Sequence, residues 1–175
     1  MDKILISQEQ IKQRIKELGV QINRDYQGKE LVVVGVLTGA FMFTADLLRE
    51  IKVPIERLEF ISISSYGHST ESSGNIRVYL DLKKDIENKH VLLIEDIVDT
   101  GLTIHHLMEL FEGRKPATIK LASLLYKPSR EKYKINIDYL GFTIDNHFVY
   151  GYGLDLFGKC RQIPHIAIYS GDIKE

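Results

Sequence analysis

Tryptophan is absent from this 175-residue chain, and cysteine occurs once, at Cys160. A single thiol closes no internal disulfide, so a disulfide-stapled scaffold is excluded and a reduced, cytoplasmic setting is expected. An excess of one charge is also missing: 23 Lys and Arg stand against 24 Asp and Glu, for a net charge of −1. Such a balance gives no drive toward nucleic acid or an anionic membrane surface, so neither partner is expected. No apolar run approaches the ~18–20 residues a membrane-spanning helix needs. The opening residues, MDKILISQEQ, turn charged after three apolar positions, unlike a secretory leader. Repeats, low-complexity tracts and linkers are lacking too. What remains is ordinary globular composition, 44% hydrophobic and 27% charged, in a length that suits one domain over residues 1–175.

The pattern of elements reads as α/β. Ser7-Gln8-Glu9-Gln10 has the spacing of a capping box, and Ile11, Ile15, Leu18 and Ile22 then recur on one helical face. Gly19 falls inside that pattern and weakens its second half. Leu31–Leu37 (LVVVGVL) is an unbroken apolar, mostly β-branched run, as in a strand covered on both faces, which favours a parallel sheet. A helix is expected over Ala40–Ile51 and a strand over Leu58–Ser64. An exposed Gly/Ser-rich loop follows over Gly67–Asn75, then a strand near Ile76–Leu82. Val91–Ile94 is a second buried strand, with a helix reaching about Glu112 after it, and Ala117–Tyr126 is a third strand. Shorter β pieces fall near Ile137–Phe142, His147–Tyr150 and His165–Tyr169. Strands alternating with helices imply a mostly parallel sheet flanked by helices, with ligands bound beyond the carboxyl ends of the strands.

The stretch richest in chemistry is Val91–Thr103, VLLIEDIVDTGLT. Its apolar run stops at Glu95-Asp96, two adjacent groups that in their ionised form only accept hydrogen bonds. They suit a vicinal diol or a hydrated Mg²⁺. Thr100, Gly101 and Thr103 then lead into a helix, where free amides, hydroxyls and a glycine suit a phosphate. With Asp99 between the two grips, the segment describes a ribose 5-phosphate. Spacing alone leaves a second reading open, of acidic residues closing a strand and capping a helix. A nucleotide-hydrolase reading fails, because the nearest phosphate-loop match, GLDLFGKC at Gly153–Cys160, carries Cys where a metal-binding hydroxyl belongs. The six histidines form no metal set, and Cys160 has no evident base partner.

IEDIVDTG closely resembles the phosphoribosyl-pyrophosphate (PRPP) signature of type I phosphoribosyltransferases. The resemblance continues in order along nearly the whole chain. LTGA at Leu37–Ala40 is similar to the pyrophosphate loop and SSY at Ser64–Tyr66 to the start of the catalytic flexible loop. SLLYKP at Ser123–Pro128 and FVYGYGLD at Phe148–Asp155 are similar to the purine-binding elements of the hypoxanthine–guanine branch. The resemblance implies a twisted, mostly parallel sheet as a core over about residues 28–130. A small hood would come from about residues 1–15 and 145–175.

It also implies an activity: hypoxanthine or guanine plus PRPP gives IMP or GMP plus pyrophosphate, with Mg²⁺ as cofactor. Under that reading Glu95 and Asp96 hold the ribose hydroxyls, directly or through metal, and Asp155 joins them at the metal. Asp99 is the general base. Thr100, Gly101, Leu102 and Thr103 take the 5′-phosphate. Leu37, Thr38, Gly39 and Arg161 face pyrophosphate, with a cis peptide before Thr38. Ser65 and Tyr66 close over the site during turnover. Lys127, a pure donor, meets the purine O6, Phe148 stacks on the base and the Val149 backbone touches it. The chain departs from the family pattern at Thr38, where Lys or Arg is frequent, and at Leu156 and Cys160, where many relatives carry aromatics. The alternatives left beside this reading are a xanthine-using or hypoxanthine-only relative and a non-catalytic PRPP-sensing regulator. Assembly as a homodimer or homotetramer is the family expectation.

Overall fold

The computed structural model describes residues 2–65 and 76–171. The expected Gly/Ser loop and Tyr66 lie outside the described residues. The elements, in order, are β1 (Lys3–Ile6), α1 (Gln8–Asp25), β2 (Leu31–Leu37), α2 (Phe41–Glu50), β3 (Ile55–Ser65), β4 (Ile76–Leu80), β5 (His90–Val98), α3 (Leu102–Glu112), β6 (Thr118–Tyr126), a 3₁₀ turn (Pro128–Arg130), β7 (Tyr139–Thr143), β8 (Val149–Tyr150) and β9 (Ile166–Ile168). The main sheet has six strands in the order β4-β3-β2-β5-β6-β7. All its pairings are parallel except β3 with β4. A second, antiparallel sheet runs β1-β9-β8 and joins the two ends of the chain.

The apolar run of β2 divides by parity, as a strand with two covered faces must. Leu31 and Val33 join one core with α1 and α2, while Val32, Val34 and Val36 join another with Ile104, Leu107 and Phe111 of α3. Leu92 and Ile94 of β5 follow the first set, and Val91 and Leu93 the second. The capping box at the start of α1 is formed: the Gln10 amide donates to Ser7 Oγ at 3.2 Å and the Ser7 amide to Gln10 Oε1 at 2.8 Å. Gly19 does not weaken α1, which runs on to Asp25. A Cβ at that position would collide with the side chain of Glu50, so the glycine lets α1 lie close against α2.

Two differences from the sequence reading matter for the site. Strand β1 is not visible in the periodicity, because its four residues gain a partner only at the far end of the chain. Strand β5 does not stop at Ile94 but continues through Glu95 and Asp96 to Val98. Its pairing with β2 ends at Gly35↔Ile94, whereas its pairing with β6 carries on to Val98↔Tyr126. Beyond Ile94 the strand therefore has a neighbour on one side only. The sheet parts between β2 and β5, where successive connections run to opposite edges, and a crevice opens there.

Candidate active site

Two loops flank the crevice, one leaving β2 and the other leaving β5. The β2 loop starts with a cis peptide between Leu37 and Thr38, and it turns back as the Phe41 amide donates to the Thr38 carbonyl at 3.2 Å. Gly39 lies against the carboxylate of Asp96, and any Cβ on it would overlap Oδ2. This close approach brings the β2 loop and the acid pair into one wall.

Glu95 is buried. Its Oε1 accepts from the Asp96 amide at 2.9 Å, and Asp96 Oδ1 accepts from the Ile97 amide at 2.7 Å. Burial pushes the Glu95 carboxyl well above the usual carboxylate range, and the neighbouring Asp96 charge adds to that. Burial raises Asp96 as well, against the opposing pull of the Glu95 hydrogen bond, backbone amides and the Arg161 charge. Asp96 keeps some surface open toward the cavity, but it sits deep enough to be desolvated. An acid pair held away from water with no ion-pair partner among the described residues suits a cation or a pair of hydroxyl donors.

After β5 the chain turns through Asp99-Thr100-Gly101 into α3. Gly101 has φ +83°, and a Cβ there would also overlap the Tyr133 carbonyl, so only glycine fits. The first intrahelical bond is the His105 amide to the Gly101 carbonyl at 2.9 Å. The amides ahead of it have no partner within the helix, and they point out of its positive end. The turn is braced from behind by the Lys132 and Tyr133 amides, which donate to the Thr100 carbonyl at 2.9 and 3.0 Å.

A cavity of about 330 Å³ gathers these parts: Leu37–Gly39, Glu95, Asp96, Asp99–Thr103, Asp155 and Arg161 all line it. Grooves of about 460 and 470 Å³ lie beside α3 and between α1 and α2, away from the strand tips, so chemistry rather than size distinguishes the smaller one. Asp155 and Arg161 face each other at 2.9 Å, and Arg161 also donates to the Gly153 carbonyl at 2.7 Å. Gly153, at φ +101°, backs onto the Gly39 carbonyl so closely that a Cβ would overlap it. The segment carrying Asp155 and Arg161 is thus docked on the β2 loop.

Lys127, Phe148 and Val149 do not line that cavity. Lys127 joins it through Asp99, whose Oδ2 lies 3.4 Å from Lys127 Nζ. Phe148 is partly exposed, and Val149 is buried in β8. Ser65 ends β3, opposite Ile76. Sequence reasoning missed Arg130, whose Nε donates to Asp99 Oδ1 at 3.0 Å. The Pro128 turn was the available signal, since it folds Arg130 back toward the strand tip.

Among the described residues no three Asp, Glu, His or Cys side chains come together as a metal-binding group. The expected set of Glu95, Asp96 and Asp155 shares one cavity without forming one cluster, and Asp155 is engaged by Arg161 and by the Gly158 amide at 2.7 Å. An incomplete carboxylate set is still what Mg²⁺ uses when phosphate oxygens and water complete its shell.

Comparison with known proteins agrees with this geometry. Residues 3–156 match the phosphoribosyl transferase domain family. The chain is 47% identical over 176 residues to a hypoxanthine-guanine phosphoribosyltransferase of Dictyostelium discoideum, covering 99% of this chain and 96% of that protein. It is 42% identical over 175 residues to the Bacillus subtilis protein of the same name, covering 100% of this chain and 97% of the relative. A crystal structure of a hypoxanthine-guanine phosphoribosyltransferase from Bacillus anthracis superposes with a TM-score of 0.91 at 44% identity, covering 97% and 99% of the two chains. With fold, crevice and sequence in agreement over its whole length, the chain belongs to the phosphoribosyltransferase family, in its hypoxanthine-guanine branch.

Proposed function

We propose that the protein is a purine-salvage transferase joining hypoxanthine or guanine to the ribose 5-phosphate of PRPP, with release of pyrophosphate and formation of IMP or GMP. The observation that carries this reading is the meeting of the acid pair, the α3 amino end and the β2 loop in one cavity where β2 and β5 part. A diol, a 5′-phosphate and a pyrophosphate each find a matching wall there.

The phosphate is held by the α3 amino end with the Thr100 and Thr103 hydroxyls. Glu95 and Asp96 take the ribose hydroxyls, and Asp96 offers negative charge near the ring carbon that becomes cationic as the bond to pyrophosphate loosens. Thr38 and Gly39 meet pyrophosphate through the main chain, and the planar fork of Arg161 matches its oxygens. Asp99 takes the proton that the purine ring gives up on bonding to the sugar, while Lys127 donates to the 6-oxo group and Phe148 stacks on the ring. Mg²⁺ held by Glu95, Asp96 or Asp155 would neutralise the departing pyrophosphate. Ser65 and Tyr66 complete the reading as closing residues. The small β1-β9-β8 sheet, with its Phe148–Asp155 continuation, serves as the hood.

Among the described residues no helix is long and apolar enough to cross a membrane. The exposed Leu58, Val78 and Leu80 on β3 and β4 support assembly with further copies, as a dimer or tetramer. A cytoplasmic setting belongs to the same reading. The test is a panel of hypoxanthine, guanine, xanthine and adenine with PRPP and Mg²⁺, following nucleotide formation. Turnover of the first two bases and none of adenine is expected; nucleotide formed from adenine alone, or from no base, would overturn the reading.

A further inference from the structure

Residues 156–159 make a two-residue hairpin in which the Leu156 and Lys159 amides each donate to the other's carbonyl, at 2.8 and 3.0 Å. Phe157 and Gly158 take the two corners, with φ of 50° and 80°. A turn of this hand favours Asn, Asp or Gly at its first corner, because a bulky residue with a positive φ crowds its own carbonyl. Burial does not account for the phenylalanine, because Phe157 is 61% exposed. Neither the turn nor the core asks for an aromatic ring at this corner.

The ring does have a partner. Phe157 lies nearly parallel to Phe148, at 20° between planes and 6.1 Å between centroids. Tyr169 meets both rings edge-on, at 68° to Phe148 and 88° to Phe157. Tyr169 is itself tied to Phe148, its amide donating to the Phe148 carbonyl at 2.9 Å. Phe148 thus packs against both Phe157 and Tyr169, yet it stays 37% exposed. That remaining surface is what the stacking role proposed for Phe148 would use. The hairpin also springs from between Asp155 and Arg161, both of which line the sugar cavity.

We infer that Phe157 is a positioning residue for the purine: its ring braces Phe148 in the orientation that receives the base, setting base affinity without touching the sugar end. The inference rests on the stacking role proposed above for Phe148. A ring braced in advance loses less freedom when the ligand arrives, which shows as tighter binding. The strained corner gives up turn stability in exchange for a functional contact.

The test compares Phe157→Asn, Phe157→Leu, Phe157→Tyr and Phe148→Leu with the wild-type protein. Hypoxanthine and guanine are titrated at saturating PRPP, PRPP at saturating base, and thermal melts are recorded alongside. Phe157→Asn and Phe157→Leu should raise the KM for both bases about tenfold, within the range of one base–aromatic contact. The KM for PRPP should stay within about twofold, and Phe157→Tyr should restore the wild-type values. The Asn variant should melt no lower than wild type, since Asn suits the left-handed corner. A merely structural ring would give the reverse pattern, with a lower melting point and unchanged base KM. The inference is overturned if the Leu variant keeps its base KM, or if the KM for PRPP rises in step with it. If Phe148→Leu raises base KM and the Phe157 variants do not, only the bracing is refuted. If Phe148→Leu has no effect either, the stacking role falls, and with it this inference.

Discussion

Asp99→Asn separates the proposed chemistry from the scaffold, because it keeps the shape of the side chain while removing its charge and its proton-accepting capacity. In the structure the two Asp99 oxygens face Lys127 Nζ at 3.4 Å and Arg130 Nε at 3.0 Å. An amide can accept from one of these donors, but it turns N–H groups toward the other. The Arg130 side chain is 47% exposed and can swing into water, whereas that of Lys127 is 9% exposed and cannot. Stripping a fully buried cation of its partner costs about 3–5 kcal/mol. Because the Asp99 side chain is 36% exposed, solvent screens the pair and about 1 kcal/mol is the expected loss. For a domain of this size that lowers Tm by roughly 2–4 °C. Losing a general base costs about 10²–10⁴ in kcat, or about 3–5 kcal/mol of barrier. The two effects differ enough to be read independently, by steady-state nucleotide formation and by a thermal melt of the same sample. A variant with kcat within threefold of wild type would refute the base role. A melting point lowered by tens of degrees would show that the ion pair had been misjudged as screened.

Other changes test the remaining walls. Gly39→Ala places a methyl group where the Asp96 carboxylate now lies, so the KM for PRPP should rise by one to two orders of magnitude, in line with about 1–3 kcal/mol for an overpacked contact; an unchanged KM would mean that the loop yields freely. Lys127→Ala should weaken hypoxanthine and guanine more than PRPP, by roughly 1–3 kcal/mol at the base, and equal losses would count against recognition of the 6-oxo group. Glu95 has a folded-state pKa above its ordinary value of 4.5, chiefly through burial, so the native protein keeps a proton that the unfolded chain releases. Stability from this group is therefore intact below that ordinary value and declines as pH rises through the raised one. Glu95→Gln should flatten the fall in Tm between mildly acidic and alkaline buffer while impairing PRPP binding; parallel Tm curves for the two proteins would contradict the burial argument.

The parallel core is legible because β2 is an unbroken apolar run and β5 carries one over Val91–Ile94, a signature that covered strands seldom share with surface elements. The acid pair and phosphate turn are legible for a local reason: carboxylates, hydroxyls and a glycine follow one another within a few positions. What stays hidden depends on partners distant in the chain. Strand β1 exists only because Ile166–Ile168 returns to meet it, and the place of Gly19 is explained by Glu50 on another helix. Pro128 in the order Lys-Pro-Ser-Arg signals a turn, but not that the guanidinium of Arg130 comes back to Asp99. Composition stops β5 at its first charge, whereas the ladder with β6 carries it past Asp96. Pairing outlasts hydrophobicity there, and that overhang puts the carboxylates at the rim of the opening.

Gly153 meets the Gly39 carbonyl through bare backbone, and this has a consequence for redesign. A joint made of main chain alone is indifferent to the side chains hung beyond it. Side chains between Leu156 and Cys160 can therefore be varied without breaking that joint.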